Sequence, residues 1–274
     1  GEYALWVAEH EGRLVGARAF PVREVSSDGK TRRYAYSHFA RILPDYQSVG
    51  LFQPLNAIAV QEVWPTVEGA FAYADPANEA IKAALGGFPI WSVRPFRADL
   101  DCDRLAGPAV GHRAGPSDAA RIVNLMNACH RREGFFAPYT VANLEKRLSR
   151  VPEAYSWRNL QLSGSAVMGT WLCRERRTVV DGQRKKESIR GLVLDYGFNP
   201  DGDTDDFEGL IRHWCGCARA AGITHLSVFS SPPSPGSETI RRLADRIEEF
   251  DFSFDEREPE DLDACGVYVD PIYF

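Results

Sequence analysis

Hydrophobic and polar positions follow one plan twice along the chain. Residues 13–45 and 165–201 share an order: a strand with a glycine, an Asp-Gly pair whose glycine follows thirteen residues later, a basic cluster, a second strand and a Pro-Asp step. Asp-Gly between strands is a strong hairpin signal, because both turn positions need positive φ. The pattern therefore predicts two matched β-hairpins, with turns at Asp28-Gly29 and Asp181-Gly182.

The elements after each Pro-Asp step also match. Each copy continues with a helical pattern, a short apolar strand and a further helical pattern. The predicted elements are 51–64, 70–74 and 78–88 in the first copy, and 204–221, 226–230 and 237–250 in the second. Shared order at matched spacing indicates an internal duplication. We therefore expect an α+β protein of two domains, 1–107 and 108–274, divided within the Pro-, Gly- and Asp-rich segment 95–116.

The two copies differ in what surrounds them. Helical patterns at 118–134 and 140–151 precede the second copy, and Thr140 is the expected N-cap of the latter. The first copy opens directly on its strands, so either residues upstream of Gly1 are missing, which we favour, or the first domain is minimal. The apolar tail 266–274 is predicted as an edge strand completing the second sheet.

Composition narrows the class of protein. The 274 residues are 44% hydrophobic and 26% charged, which is typical of a soluble globular protein. The net charge of -6 argues against a general nucleic-acid binder, and the apolar runs are shorter than the roughly 20 residues of a membrane span. The pattern leaves the oligomeric state open.

The six cysteines favour buried, reduced thiols and a cytoplasmic location. They are Cys102, Cys129, Cys173, Cys215, Cys217 and Cys265. His213 lies near two of them, but no second ligand pair stands at zinc-site spacing, so no metal is expected.

The segment 42–57, "ILPDYQSVGLFQPLNA", carries the clearest candidate chemistry. The start of a helix presents free backbone N–H groups and partial positive charge, which suit an anion. Gly50 has no Cβ and lets an anion approach the main chain, and Pro54 falls in the first helical turn, where a missing N–H costs least. The segment is consistent with a diphosphate cradle, although an ordinary strand-to-helix turn reads the same way.

This segment resembles the loop of the GNAT N-acetyltransferase superfamily. Residues 42–52 match the family pattern V-x-P-x-x-Q/R-x-x-G-x-G/A, except that Phe52 replaces the last small residue. The resemblance covers 3–95 well and 113–274 in outline. It implies two GNAT-like domains, each a mixed, mostly antiparallel sheet flanked by helices, with acetyl-CoA as cosubstrate. The cofactor-binding residues that it implies are Ile42, Leu43, Gln47, Ser48, Val49, Gly50, Leu51, Phe52 and Asn78.

The catalytic candidates are less sharply defined. The family's tyrosine acid falls at Ala83 and its glutamate base at Tyr36. His38 shares the face of Tyr36 by strand alternation, and a histidine can deprotonate an amine. Tyr73 is a further candidate acid, and Phe274 is a candidate because the C-terminus of some tandem relatives reaches the active site. Each of these residues also has a purely structural interpretation.

The second copy departs from the loop pattern. It carries five carboxylates there, at Asp201, Asp203, Asp205, Asp206 and Glu208. Because these would repel a diphosphate, we expect only the first domain to bind the cofactor. The predicted function is transfer of an acetyl or short acyl group from CoA to an amine of a small molecule by direct attack. The alternatives are a catalytically inactive acyl-CoA-binding module and an acyl-carrier-protein-dependent acyltransferase.

Overall fold

The computed structural model describes most of the chain. The described residues are 2–27, 30–37, 40–77, 94–173, 176–180, 183–187, 190–202, 204–256 and 267–270. They form two compact units that are not contiguous in sequence. Unit 1 lies within 1–94, 134–137 and 249–264, and unit 2 lies within 95–133, 138–248 and 265–274.

In its described residues, unit 1 is a six-stranded sheet with one long helix. Its elements are β1 (Glu2–His10), β2 (Arg13–Ser27), β3 (Lys30–Tyr36), β4 (Ala40–Ile42), α1 (Pro44–Gln47), α2 (Phe52–Val63), β5 (Gly69–Ala74) and β15 (Asp251–Glu256). The strand order is β1-β2-β3-β5-β15, and β4 pairs with β2. Among the described strands of unit 1, β3 and β5 are the parallel pair. The pairs β1–β2, β2–β3, β2–β4 and β5–β15 are antiparallel.

The core of unit 1 forms where α2 covers the sheet. Leu55, Ala59 and Val63 recur at helical spacing on α2 and are buried. Ala59 and Val63 belong to one apolar cluster with sheet residues that include Phe20 and Ala35. The amphipathic pattern of α2 therefore fixes which face of the sheet it covers.

Unit 2 contains a seven-stranded sheet, and its strand order is β14-β6-β13-β12-β9-β8-β7. The strands are β6 (Phe96–Asp101), β7 (His112–Arg113), β8 (Leu160–Ser163), β9 (Ala166–Leu172), β12 (Arg190–Phe198), β13 (His225–Ser230) and β14 (Arg246–Glu249), and β10 (Arg176–Val180) pairs separately with β11 (Gln183–Glu187). The helices are α3 (Cys102–Leu105), α4 (Ala119–His130), α5 (Val141–Ser149), α6 (Asp205–Ala220) and α7 (Ser237–Leu243). Strands β12 and β13 are parallel, and β12–β9, β13–β6, β7–β8 and β8–β9 are antiparallel.

The predicted α+β class, with mixed and mostly antiparallel sheets, is confirmed. Strands flank both Asp-Gly pairs in hairpin register, with Ser27 opposite Lys30 and Val180 opposite Gln183. Thr140 is the N-cap of α5 and accepts a hydrogen bond from the Asn143 amide at 3.2 Å, as predicted. None of the described helices is long and apolar enough to span a bilayer.

One predicted element is wrong, and two others lie partly or wholly outside the described residues. The predicted helix 237–250 ends at Leu243, because the Asp245 amide donates to the Asp99 carbonyl and the chain continues as β14. Of the predicted edge strand 266–274, the structure describes residues 267–270, where Val267 forms a β-bridge and the Ser231 hydroxyl bonds both its N–H and its C=O. The rest of this predicted strand lies outside the described residues. The predicted helix 78–88 lies outside the described residues.

The grouping into units differs from the expected division at residue 107. Strand β6 hydrogen-bonds to β13 in the sheet of unit 2, although it precedes residue 107. Strand β15 hydrogen-bonds to β5 in the sheet of unit 1, although it lies near the end of the chain. Both differences arise from pairing between distant segments.

Candidate functional site

Two parallel strands of unit 1 separate at the position of the candidate loop. In the described residues, the ladder between β3 and β5 runs from Tyr34 opposite Gly69 to Tyr36 opposite Phe71. A further bond joins the Ser37 amide to the Phe71 carbonyl, at 2.8 Å. Beyond this point the chain continues as β4, which pairs with β2. A gap therefore opens between β4 and β5, and main-chain groups of β4 face it.

The main-chain groups at the end of β4 divide between the sheet and this gap. The Leu43 amide donates to the Val15 carbonyl at 2.9 Å, so the N–H of Leu43 is already used. Hydrogen-bonding direction alternates along an antiparallel strand, so the N–H and C=O of Ile42 point away from β2. The Ile42 carbonyl accepts a bond from Gln47 Nε2 at 3.1 Å. The backbone N–H of Ile42, rather than that of Leu43, therefore points into the gap.

The turn between α1 and α2 has the features of an anion site. Gly50 has φ +71°, which favours glycine, and a Cβ built there would meet no atom within 4 Å. Leu51 is the N-cap of α2 and makes no side-chain cap bond, and the first turn holds no acidic residue. The first amides of α2 thus lack a side-chain acceptor, and the space beside Gly50 is open.

The remaining predicted loop residues lie in the same turn. Ser48 and Val49 are exposed, and Val49 is 67% exposed, while Leu51 and Phe52 are half-buried. The structure therefore brings the predicted residues from Ile42 to Phe52 together at one end of the gap. The predicted residues His38, Asn78 and Phe274, and also Ala83, lie outside the described residues.

Tyr36 and Tyr73 lie together in an aromatic layer on the sheet face away from α2. This layer consists of Tyr34, Tyr36, Phe71, Tyr73, Phe135 and Phe252. The Tyr36 ring stacks on Phe71 at 5.1 Å and lies 5.8 Å from the Tyr73 ring. Tyr36 is 3% exposed, whereas Tyr73 is half-buried. Tyr36 therefore forms part of a packed wall, and Tyr73 is the more exposed of the two residues.

A buried arginine that the sequence reasoning missed connects these parts. Arg18 Nη2 donates to Ser37 Oγ at 2.8 Å, at the point where β3 leaves β5, and Nε donates to Asn56 Oδ1 at 3.0 Å on α2. Its guanidinium also lies 3.9 Å over the Phe20 ring. Burial lowers the pKa of Arg18 to about 10. The sequence signal for Arg18 is a charged residue inside the apolar run "VGARAF".

Unit 2 has a similar separation of strands, but side chains fill it. In the part of the chain that the structure describes, parallel pairing of β12 with β13 runs from Arg190 to Leu192. His130 of α4 bonds the Tyr196 carbonyl at 2.8 Å, and the Tyr196 hydroxyl lies 3.4 Å from Ser230 of β13. The remaining cavity measures about 10 Å³ and is also lined by Tyr268, which leaves room for about one water molecule.

Carboxylates cover the helix start that follows in unit 2. The first turn of α6 carries Asp205, Asp206 and Glu208. Asp206 accepts a bond from the Ser165 amide at 2.7 Å, and Glu208 accepts bonds from two arginines of unit 2. The hydrogen bond from Arg242 is the main cause that holds the pKa of Glu208 below its ordinary value. Acidic side chains of the protein itself therefore already offset the partial positive charge at this helix N-terminus.

Next to this filled gap lies a buried ion cluster. Asp195 accepts bonds from the Tyr139 and Tyr155 hydroxyls, both at 2.6 Å. Arg147 contacts Asp195 at 3.0 Å and Asp270 at 3.3 Å. Asp195 is 2% exposed. No local sequence pattern indicated this cluster, because its members are spread over more than a hundred residues.

Comparison with solved structures defines the fold. The crystal structure of Saccharomyces cerevisiae N-myristoyltransferase with bound myristoyl-CoA aligns over 94% of this chain and 74% of its own, with a TM-score of 0.60 and 11% identity. A GCN5-related N-acetyltransferase from Sphaerobacter thermophilus aligns over 91% and 79%, with a TM-score of 0.60 and 12% identity. A tandem GNAT protein from the clavulanic acid biosynthesis pathway aligns over 94% and 85%, with a TM-score of 0.55 and 15% identity.

The chain therefore has the GNAT fold, and the predicted resemblance is confirmed at the level of the fold. Its similarity extends across both units to proteins with a tandem arrangement. A scan against protein-family models found no match, and a search of curated proteins found no similar sequence.

Proposed function

We propose that the chain is an acyl-CoA-dependent N-acyltransferase and that unit 1 holds the cosubstrate. The observation that carries this proposal is the combination of the gap between β4 and β5 with the open turn at Gly50. A diphosphate fits this turn because the start of α2 has no side-chain cap and no acid in its first turn. The fold neighbours whose descriptions name acyl-CoA or acetyl transfer agree with this proposal.

The predicted loop residues other than Leu43 have the following roles in the proposal. The amides from Ser48 to Phe52 would hold the diphosphate, and Gln47 fixes the Ile42 carbonyl so that the Ile42 amide faces the gap. A bound acyl-CoA supplies an activated thioester. The Ile42 N–H is the group placed to donate to an acyl or pantetheine carbonyl, because the Leu43 N–H is used within the sheet.

The proposed acyl group is acetyl and the proposed acceptor is an amine of a small molecule. Phe71, Phe135 and Phe252 are at most 5% exposed, and their packing behind Tyr36 favours a short acyl chain over a long one. His38 remains the proposed base, since an imidazole near neutral pKa can take a proton from an ammonium. Tyr73 is the proposed acid, and Tyr36 is proposed as a wall of the site.

Unit 2 is proposed not to bind CoA. Its strand gap is filled by His130 and Tyr196, and the start of α6 is covered by carboxylates. An added diphosphate would meet both steric exclusion and like-charge repulsion there.

Release of free CoA thiol tests the proposal. The full chain is incubated with acetyl-CoA and a panel of small amines, and thiol is measured with a colorimetric reagent. We expect thiol release that depends on one class of amine and is slower with myristoyl-CoA. If acetyl-CoA binds and no amine releases thiol, the chain is a binding module. If acetyl-CoA does not bind, the proposal fails, and acyl-carrier-protein thioesters become the donors to test.

A further inference from the structure

Unit 2 contains a cavity that has no part in the proposed acyl transfer. It has a volume of about 570 Å³, within the 300–1,000 Å³ range of small-molecule sites. The second half of α6 and strand β9 supply its apolar wall, and the segments around Arg113 and Arg158 supply its polar rim. The cavity is therefore bounded by elements whose positions the core of unit 2 fixes.

Two indole rings form the apolar wall. Trp214 is 7% exposed, and its Nε1 donates to the Met168 carbonyl at 3.3 Å. The polar edge of this ring is thus satisfied within the protein, which leaves ring surface toward the cavity. Trp171 of β9 is 37% exposed at the rim. Indole rings in such positions favour a flat apolar ligand group, since offset stacking adds to simple burial.

The rim carries more positive than negative charge. Arg113 and Arg158 are exposed, and among the described residues neither has a carboxylate within salt-bridge distance. Glu153 is the acid in the lining, and its main-chain carbonyl accepts a bond from Arg158 Nη2. His112 lies 3.5 Å from Asp118, which offsets its charge when it is protonated.

His213 of α6 adds a neutral polar group to the wall. Burial and the charge of Arg113 lower the pKa of His213, so its imidazole is uncharged near pH 7. Its Nε2 lies 3.6 Å from Cys217 Sγ. The positive charge at the cavity therefore comes from the two arginines, which present the planar donor groups that pair with carboxylates.

We propose that this cavity binds a small organic anion that carries a flat aromatic group. The guanidinium of Arg113 pairs with the anionic group, and Trp171 and Trp214 hold the aromatic group. This site is independent of acyl transfer by unit 1, so either proposal can fail without the other.

Two matched probes test the site in the full chain: 2-naphthoate, which is anionic, and 2-naphthamide, which is neutral and of similar shape. Isothermal titration calorimetry at 50 mM salt is expected to show naphthoate binding at least about tenfold tighter than naphthamide, the ratio typical of a charge-assisted bond. Raising the salt to 500 mM should weaken naphthoate binding. No naphthoate binding at 5 mM, or equal binding of both probes, overturns the proposal.

Variants assign the effect to the cavity. We expect Arg113→Gln to weaken naphthoate binding at least about tenfold, and Trp171→Ala to weaken both probes. Arg219→Gln is the matched control, because it removes the same charge from an exposed position of α6 that does not line the cavity. All three positions are exposed, so we expect the variants to fold. Circular dichroism checks this. If Arg113→Gln and Arg219→Gln behave alike, the assignment is wrong.

Discussion

Buried charges in unit 2 are compensated by several partners at once. The carboxylate of Asp195 is removed from water, which is costly unless it is paired and hydrogen-bonded. Two tyrosine hydroxyls and Arg147 provide this compensation. Burial would lower the pKa of Arg147, but Asp195 and its other neighbours hold it well above the ordinary value. Arg147 therefore stays charged, and removing Asp195 would leave it poorly compensated.

Asp195→Asn should lower the free energy of unfolding by about 3 kcal/mol, because it removes one partner of a buried ion pair. Urea unfolding followed by circular dichroism measures this loss. Asp201→Asn is the control, since Asp201 is exposed and the change should stay within about 0.5 kcal/mol. Equal effects of both substitutions would contradict the compensation described for Asp195.

His130 gives unit 2 a pH dependence. Burial disfavours the charged imidazole, but the neighbouring Cys129 and Glu133 outweigh it, and the pKa of His130 lies well above its ordinary value. The His130 ring also packs against the rings of Tyr196 and Tyr268. Burial is the main cause that raises the pKa of both tyrosine hydroxyls, so both stay neutral near neutral pH.

The pKa of a histidine in the unfolded chain is about 6.5. Because the pKa of His130 is higher in the folded state, protonated His130 contributes fully to stability below this pH. That contribution is lost as the pH rises through the folded-state pKa. We therefore expect stability to fall as the pH rises above about 6.5. The double variant His130→Gln/Glu133→Gln, which replaces the pair with neutral hydrogen-bonding groups, should flatten this fall. Melting temperatures from pH 6 to pH 9 test it, and an unchanged slope in the variant would rule out His130 as the cause.

Helix packing in unit 2 depends on close backbone approach. A Cβ at Gly197 of β12 would lie 2.6 Å from the main chain of Met126 in α4. Helix α4 can therefore lie this close to the sheet only because residue 197 is glycine. Gly209 in α6 differs, since a Cβ there would have its nearest neighbour at 3.9 Å.

Gly197→Ala should destabilise the chain by about 1–3 kcal/mol, because backbone must move to admit the methyl group. Gly209→Ala should instead stabilise by about 0.5–1 kcal/mol, since glycine is unfavourable inside a helix. Relative to the unsubstituted chain, we expect the urea midpoint to fall in Gly197→Ala and to rise in Gly209→Ala. A stabilised Gly197→Ala would show that α4 packs less closely.

Local patterns predicted most of the elements, whereas pairing between distant segments was not visible. Helix α2 and strand β5 lie within two residues of their predicted bounds, because periodicity and caps are local signals. The second half of the predicted helix 237–250 became β14, since its place at the sheet edge outweighed helix propensity. The loop from Ile42 to Phe52 could be found from its spacing, but Arg18 and Asp195 required three-dimensional contacts.

At the scale of the whole chain, the two units differ at the helix start where the proposal places the diphosphate. Both have a parallel strand pair that ends early, followed by a helix. In unit 1 this helix start is open at Gly50, and in unit 2 it carries three carboxylates. Because β15 belongs to the sheet of unit 1, a fragment that ends at residue 107 would lack a strand of that sheet. Binding is therefore best measured with the full chain.

Calorimetric titration of the full chain with acetyl-CoA tests the central claim most directly. The account predicts one equivalent bound, and at least about tenfold weaker binding in Gly50→Glu, which places a carboxylate beside the diphosphate. Gly12→Glu is the matched control, since Gly12 has φ +74° and equally open space in the turn between β1 and β2, and its binding should be unchanged. Two equivalents bound, none bound, or equal affinity in the two variants would contradict the assignment of the cosubstrate to unit 1.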